Sequence, residues 1–249
     1  MIDALARQMT YPAPSVRVPS PPPSPLREVA IASEAGEVSA WWLPPSAPDG
    51  PVVLMLHGNG ENLETMRLSG LLEDLAGLGA GVLAIDYPGY GRSAGVPSER
   101  SLVAAAESAW RWLCDAAPSS PRLVVGWSLG AAVAVQVAAR HVDTVDAAIL
   151  LSPWDTLHGV ASRFFPSFVV GLLSDRYDSV AAAALVRCPT LVVHGERDDI
   201  IPVELGERLF QALPEPKRWV AIPTVGHNDL LAHPGPWREI GDFLAAVRP

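Results

Sequence analysis

A glycine-flanked serine lies between an apolar run and a helix-forming run. It is Ser128 in the sequence GWSLG at residues 126–130, which directly follows the apolar residues 123–125. In such a strand–turn–helix context, glycines flank the serine because a side chain at either position would displace it. The motif therefore predicts a nucleophilic Ser128 raised above the edge of a sheet. The alternative is an ordinary glycine-rich turn that contains a serine.

A nucleophilic serine needs a base to take its proton and a carboxylate to orient that base. Asp198 follows the apolar run 190–193, and His227 lies in a loop after the predicted strand 218–222. Both side chains are expected at the carboxyl edge of the sheet, beside Ser128. We therefore predict a catalytic triad in the chain order Ser128, Asp198, His227. For His227 the alternative is a solvated loop histidine.

Four other polar residues near predicted strand ends compete for these roles. Asp199 and Asp155 are alternatives to Asp198 as the triad carboxylate. Asp86 is expected to accept backbone N–H groups and hold the loop that follows it. His57 is expected to brace a turn, because it has no second ligand at a metal-binding spacing. We expect neither a metal nor a cofactor.

Stabilisation of a tetrahedral oxyanion requires N–H donors beside the serine. Residues 52–56 are apolar and run into the glycine-rich sequence HGNGEN at residues 57–62. This turn predicts that the backbone N–H of Asn59 and that of Leu129, the residue after the serine, form an oxyanion hole.

The hydrophobic pattern alternates between short apolar runs and longer amphipathic ones, which predicts a mostly parallel sheet with helices on both faces. An antiparallel hairpin is expected at residues 29–33 and 38–43. Further strands are expected at residues 52–56, 81–86, 123–126, 147–151, 190–194 and 219–222. Helices are expected at residues 63–78, 99–114, 129–140, 203–213 and 236–247. We assign residues 1–25 to a Pro-rich, extended N-terminal arm and residues 26–249 to one domain.

Residues 153–187 interrupt the alternation and contain an apolar cluster that includes Phe164 and Phe168. An insert at this position would cover the catalytic edge as a short lid, so both phenylalanines are candidate substrate-binding residues. Trp127, inside the motif, is a third candidate. The alternatives are a segment packed on the core and a Trp127 packed behind the serine.

Charge and composition exclude several classes of function. The formal net charge of −9 and pI of about 5.1 argue against nucleic acid as a partner and against a polybasic membrane patch. No apolar run is long enough to cross a bilayer, and no secretory signal is recognisable. We therefore expect a cytoplasmic protein acting on a small-molecule or acyl substrate. Its oligomeric state is left open.

The motifs together resemble those of the α/β hydrolases, and the resemblance runs from about residue 52 to the C-terminus. Within that superfamily, the chain is similar to the branch of the protein depalmitoylases and their bacterial relatives. The segments that carry this finer likeness are residues 57–62, 86–93, 126–130 and 226–229. The resemblance implies the α/β-hydrolase fold and acyl transfer through an acyl-enzyme.

These observations lead us to expect a carboxylic-ester or thioester hydrolase. A serine peptidase or amidase could use the same triad, and a non-catalytic binding protein could keep the same fold. An aspartate in place of Ser128 would have indicated dehalogenase or epoxide-hydrolase chemistry.

Overall fold

The structure, a computed structural model, describes residue 7 and residues 9–247, and the strands of this part form one eight-stranded sheet. The strands are β1 (Arg27–Ser33), β2 (Gly36–Leu43), β3 (Val52–Leu56), β4 (Gly81–Ile85), β5 (Arg122–Trp127), β6 (Ala147–Leu151), β7 (Thr190–Gly195) and β8 (Lys217–Ile222). They lie in the order β1-β2-β4-β3-β5-β6-β7-β8. The β1–β2 hairpin joins β4 antiparallel, and the strands from β4 to β8 are parallel.

Helices cover both faces of the sheet. They are α1 (Leu63–Leu68), α2 (Leu71–Gly77), α3 (Glu99–Ala116), α4 (Leu129–Arg140), α5 (Leu157–Ala161), α6 (Ser167–Val170), α7 (Ser179–Ala183), α8 (Val203–Ala212) and α9 (Pro234–Val247). Alternate side chains of β3 belong to two different apolar clusters, because successive residues of a strand point to opposite faces. Leu54 packs with residues of α3, α4 and α8. Met55 packs with residues of α1, α2 and α9.

The predicted parallel sheet, its N-terminal hairpin and the flanking helices are confirmed. The prediction of one helix over residues 63–78 was wrong, because the chain forms α1 and α2 there. The break falls at Gly70, whose φ of 83° is left-handed and cannot continue a right-handed helix. A lone glycine within an amphipathic pattern does not reveal its φ, so the sequence alone could not locate this break.

The described part of the N-terminal arm is mostly irregular and lies against the domain. Tyr11, Val18 and Pro22 are buried anchors in it, whereas most of their neighbours are at least partly exposed. Residues 1–6 and 8 of the predicted arm lie outside the described residues. Within residues 7 and 9–247, no helix has both the length and the apolar character needed to cross a membrane.

Candidate active site

Ser128 occupies the sharp turn between β5 and α4. Its φ of 55° and ψ of −114° are costly for a residue with a side chain, and such strain is often found at functional sites. The surrounding backbone requires both glycines of the motif. A Cβ on Gly126 would come within 2.1 Å of the Gly130 carbonyl oxygen, and one on Gly130 would come within 1.9 Å of the Leu56 carbonyl oxygen.

A buried carboxylate orients His227. The Nδ1 of His227 lies 2.7 Å from Oδ2 of Asp198, which is also 3.5 Å from Nε2 of His194. The other oxygen, Oδ1, accepts the Ile201 N–H at 2.6 Å. Burial works to raise the pKa of Asp198, but hydrogen bonds from His194 and His227 outweigh burial and hold this pKa well below its usual value. An ionised Asp198 keeps the proton of His227 on Nδ1, which leaves Nε2 free to accept one.

The two rival carboxylates have other surroundings. Asp199, the neighbour of Asp198, is exposed to solvent. Asp155 accepts a hydrogen bond at 2.8 Å from Nε of Arg208. Among the three aspartates considered, Asp198 is therefore the one with a contact to His227.

Asp86 holds the loop that follows it, as predicted. Its Oδ1 accepts the Leu63 N–H at 2.9 Å and its Oδ2 accepts the Arg92 N–H at 3.0 Å. Burial raises the pKa of Asp86 to about 6, although the two backbone hydrogen bonds oppose that rise. This aspartate links the start of α1 to the loop after β4.

Trp127 lies behind the site rather than in its wall. Its ring is stacked on the imidazole of His227, with 5.3 Å between ring centroids and an interplanar angle of 27°. The stack brings His227 next to the turn that carries Ser128. Trp127 is not among the residues that line the cavity, and its stack on His227 favours the alternative of packing behind the serine. Trp127, the last residue of β5, packs against the apolar cluster that contains Val125 and residues of α1, α2 and α9.

The two oxyanion-hole candidates lie at the cavity that opens at Ser128. Asn59 and Leu129 line the same cavity as the serine. Among residues 7 and 9–247, the backbone N–H groups of both residues have no hydrogen-bond acceptor. Two such N–H groups beside a serine are suited to stabilise a developing negative charge.

The glycine-rich turn before Asn59 is braced by buried polar groups. The Gly58 N–H donates to Oε2 of Glu61 at 2.8 Å, and the Tyr87 hydroxyl donates to the His57 carbonyl oxygen at 3.1 Å. Burial lowers the pKa of His57 to about 4 and raises that of Glu61 to about 7. The Nδ1 of His57 lies 2.7 Å from the Gly58 carbonyl oxygen, which agrees with the predicted bracing role. Sequence reasoning missed Glu61, because a glutamate in a polar turn carries no signal of its burial.

An apolar cavity of about 360 Å³ opens at Ser128. Its lining combines the catalytic edge, the insert at residues 153–187 and the N-terminal arm. The lining residues are Met9, Thr10, Asn59, Ser128, Leu129, Trp154, Leu157, Val160, Ala161, Phe164, Phe165, Val169, Val170, Leu172, Leu173, Ile200 and Ile201. The insert and the serine therefore line the same cavity.

The structure separates the two phenylalanines that were expected to bind substrate. Phe164 lines the cavity, whereas Phe168 does not and is 74% exposed. The helix α6 that carries Phe168 is only one turn long, and it turns Val169 and Val170 inward instead. The expectation for Phe168 is corrected accordingly. A hydrophobic cluster without clear periodicity does not reveal which of its members face inward.

Comparison with known proteins identifies the family of this chain. The profile of the family described as "alpha/beta hydrolase fold" matches residues 51–187, more than half of the chain. The chain belongs to the α/β-hydrolase family. This α/β hydrolase is 41% identical over 208 residues to an uncharacterised protein of Mycobacterium tuberculosis (strain H37Rv), which covers 82% of this chain and 73% of that protein. It is 30% identical over 226 residues to the lysophosphatidylserine lipase ABHD12 of Danio rerio, over 80% of this chain and 59% of the lipase.

Solved structures share the fold at lower identity. The esterase Pf2001 of Pyrococcus furiosus superposes with a TM-score of 0.76 at 21% identity, over 94% of this chain and 97% of the esterase. Est1E of Butyrivibrio proteoclasticus, solved with ferulic acid, gives a TM-score of 0.68 at 17% identity, over 88% of this chain and 96% of Est1E. The finer likeness to the depalmitoylase branch stays a prediction.

Proposed function

We propose that this α/β hydrolase is a serine hydrolase that cleaves carboxylic esters or thioesters bearing an apolar chain. One observation supports this most strongly: Ser128 lines an apolar cavity together with the two oxyanion-hole candidates Asn59 and Leu129. A nucleophile at the wall of an apolar cavity favours substrates whose reactive carbonyl is attached to a hydrocarbon chain.

Acylation begins with proton transfer. The Nε2 of His227 takes the proton of Ser128 while Oγ attacks the ester carbonyl carbon. The carbonyl oxygen becomes an oxyanion, which accepts hydrogen bonds from the N–H groups of Asn59 and Leu129. Asp198 stabilises the imidazolium without taking its proton. As the tetrahedral intermediate collapses, the protonated His227 donates to the departing alcohol or thiol, and Ser128 remains acylated.

Deacylation repeats these steps with water. His227 takes a proton from a water molecule, and the resulting nucleophile attacks the acyl carbonyl of Ser128. The same two N–H groups stabilise the second oxyanion. Collapse returns the proton to Oγ of Ser128 and releases the carboxylic acid.

The names of relatives support an ester substrate. The relative from Danio rerio is named a lysophosphatidylserine lipase. The structural neighbour from Pyrococcus furiosus is named an esterase, and Est1E was solved with bound ferulic acid. Burial of a hydrocarbon chain contributes about 0.8 kcal/mol per methylene, equivalent to a three- to fourfold gain in kcat/KM. A cavity with an apolar lining therefore rewards chain length until it is filled.

The proposal is tested with p-nitrophenyl esters of graded acyl length, assayed beside a thioester and an aminoacyl p-nitroanilide. We expect kcat/KM to rise about threefold for each of the first added methylenes and then level off. Efficient cleavage of the anilide with poor cleavage of every ester would replace this proposal by a peptidase. Absence of turnover with every substrate, in protein shown to be folded, would indicate a non-catalytic binding protein.

A further inference from the structure

The N-terminal arm contributes directly to the cavity at Ser128. Met9 and Thr10 line the cavity, and the next residue, Tyr11, is only 4% exposed. These residues precede the first strand by some fifteen positions, so the sheet does not hold them in place. Their position must depend on specific contacts with the rest of the molecule.

One contact joins the arm to the oxyanion-hole loop. The side-chain amide of Asn59 donates through Nδ2 to the Thr10 carbonyl oxygen at 2.7 Å. The Oδ1 of Asn59 accepts a hydrogen bond from the Tyr90 hydroxyl at 2.7 Å. Because both ends of this amide have partners, its orientation is set, and it holds Thr10 beside the loop that supplies the Asn59 N–H.

A second contact joins the arm to the cavity roof, the part of the lining that the insert at residues 153–187 supplies. The Tyr11 hydroxyl donates to Oδ2 of Asp175 at 2.6 Å, and it lies 3.1 Å from the Tyr177 hydroxyl. Asp175 follows the lining residue Leu173 by two positions. Burial and then the hydrogen bond to Asp175 raise the pKa of Tyr11, so its hydroxyl keeps its proton and acts as the donor.

Tyr177, the second partner of the Tyr11 hydroxyl, is held in place by its surroundings. Tyr177 is fully buried and has a φ of 43°, a conformation that costs free energy in a residue with a side chain. Its ring packs edge-on against Trp154, with 5.8 Å between centroids, and Trp154 lines the cavity. The Tyr11 hydroxyl therefore joins the arm to a buried residue that packs against the cavity lining.

We propose that Tyr11 is a positioning residue for substrate selectivity: its hydrogen bonds to Asp175 and Tyr177 hold Met9 and Thr10 as a wall of the acyl cavity. This inference rests on the proposed function, since it assigns the arm to the acyl-binding part of that site. Loss of the hydroxyl would leave the Asp175 carboxylate without this donor and release the arm from the roof. A displaced wall exposes the far part of an acyl chain to water, so the penalty grows with chain length.

The test compares Tyr11→Phe with Ser20→Ala. Both substitutions remove one side-chain hydroxyl from the arm, but Ser20 bonds the exposed Glu28 at 2.7 Å and does not line the cavity. The readout is the ratio of kcat/KM for the octanoate ester to that for the acetate ester. We expect Tyr11→Phe to lower this ratio about three- to tenfold, equivalent to one or two methylenes no longer buried, and Ser20→Ala to leave it unchanged.

A second pair of variants, Met9→Ala and its control Val16→Ala, leaves the hydrogen bonds of Tyr11 in place. Met9→Ala removes an apolar side chain that lines the cavity and is half-exposed, so it does not endanger the core. It should lower the octanoate-to-acetate ratio, whereas Val16→Ala, which removes an exposed apolar side chain elsewhere on the arm, should not. Ratios unchanged in both Tyr11→Phe and Met9→Ala would overturn the inference and leave the arm a purely structural role.

A binding measurement separates this inference from the proposed function. Calorimetric titration with octanoic acid requires no turnover, and we expect Tyr11→Phe to weaken its binding several-fold relative to the wild type and Ser20→Ala. If no ester is cleaved but this weakening is seen, the proposed function fails and the arm remains a wall of the cavity. If esters are cleaved and octanoic acid binds the variant and the wild type equally, the assignment of Tyr11 fails alone.

Discussion

At the scale of single residues, the polar groups of the site were easier to predict than the apolar ones. Asp198 and His227 follow apolar strands, and the carboxyl ends of parallel strands meet at one edge, so their proximity could be inferred from chain order. The stacking of Trp127 on His227 could not be inferred. Which face of β5 a residue occupies depends on the register of neighbouring strands, and an apolar run does not encode that register.

The triad assignment predicts a sharp difference between two adjacent aspartates. Asp198→Asn should keep the fold but favour the wrong tautomer of His227, and kcat should fall about 10⁴-fold by analogy with the protease triad. Asp199→Asn is the matched control, because Asp199 is exposed and should tolerate the change. Steady-state kinetics on both variants test this. A severe loss in Asp199→Asn with a mild one in Asp198→Asn would show that the wrong carboxylate was chosen.

Glu61 predicts a pH-dependent difference in stability. Its pKa is raised from 4.5 to about 7, so the folded protein holds a proton there that the unfolded chain has lost. The stability of the wild type should therefore fall, relative to Glu61→Gln, as pH rises from about 4.5 to about 7. Glutamine can still accept the Gly58 N–H and cannot titrate. Each unit of pKa shift changes the free energy of unfolding by roughly 1.4 kcal/mol, which corresponds to several degrees in Tm.

The comparison with Glu61→Gln isolates this group from its neighbours. His57 acts in the opposite direction, since its lowered pKa costs stability as pH falls below 6.5, and Asp86 titrates nearby. Both are present in the wild type and in the variant, so their contributions cancel in the difference between the two Tm profiles. A difference that stays constant from pH 4.5 to 7 would mean that folding does not raise the pKa of Glu61.

At the scale of elements, predictions succeeded where several signals coincided. Strand β5, the turn at Ser128 and helix α4 were placed correctly because an apolar run, two glycines and a helix-forming run follow one another. The insert between β6 and β7 carried only an apolar composition. Its short helices α5, α6 and α7 depend on contacts with the rest of the domain, because helices of so few residues are not stable alone.

The orientation of the insert predicts different results for two phenylalanines. Phe164→Ala should flatten the rise of kcat/KM with acyl length, because it removes part of the cavity wall. Phe168→Ala serves as its control, since that side chain projects into solvent and should leave both the profile and Tm nearly unchanged. Chain-length profiles and melting curves on both variants provide the measurement. Equal flattening in the two variants would contradict the observed orientation of α6.

At the scale of the whole molecule, the fold was predictable and the cavity was not. The period of the hydrophobic pattern specifies the sheet and its covering helices, and the chain order of Ser128, Asp198 and His227 specifies the catalytic edge. The cavity brings together the arm, the oxyanion-hole loop and the insert, which are far apart in the chain. Their meeting depends on individual hydrogen bonds, such as those of Tyr11 and Asn59, which cannot be predicted from the hydrophobic pattern.

The proposed mechanism depends most on Ser128 as the nucleophile. Mass spectrometry of intact protein after treatment with a fluorophosphonate probe tests this directly. The wild type should gain one adduct, located by peptide mapping at Ser128, and Ser128→Ala should gain none while losing about 10⁴-fold or more in kcat with an unchanged melting curve. An adduct that persists in Ser128→Ala, or esterase activity that survives the substitution, would contradict the account.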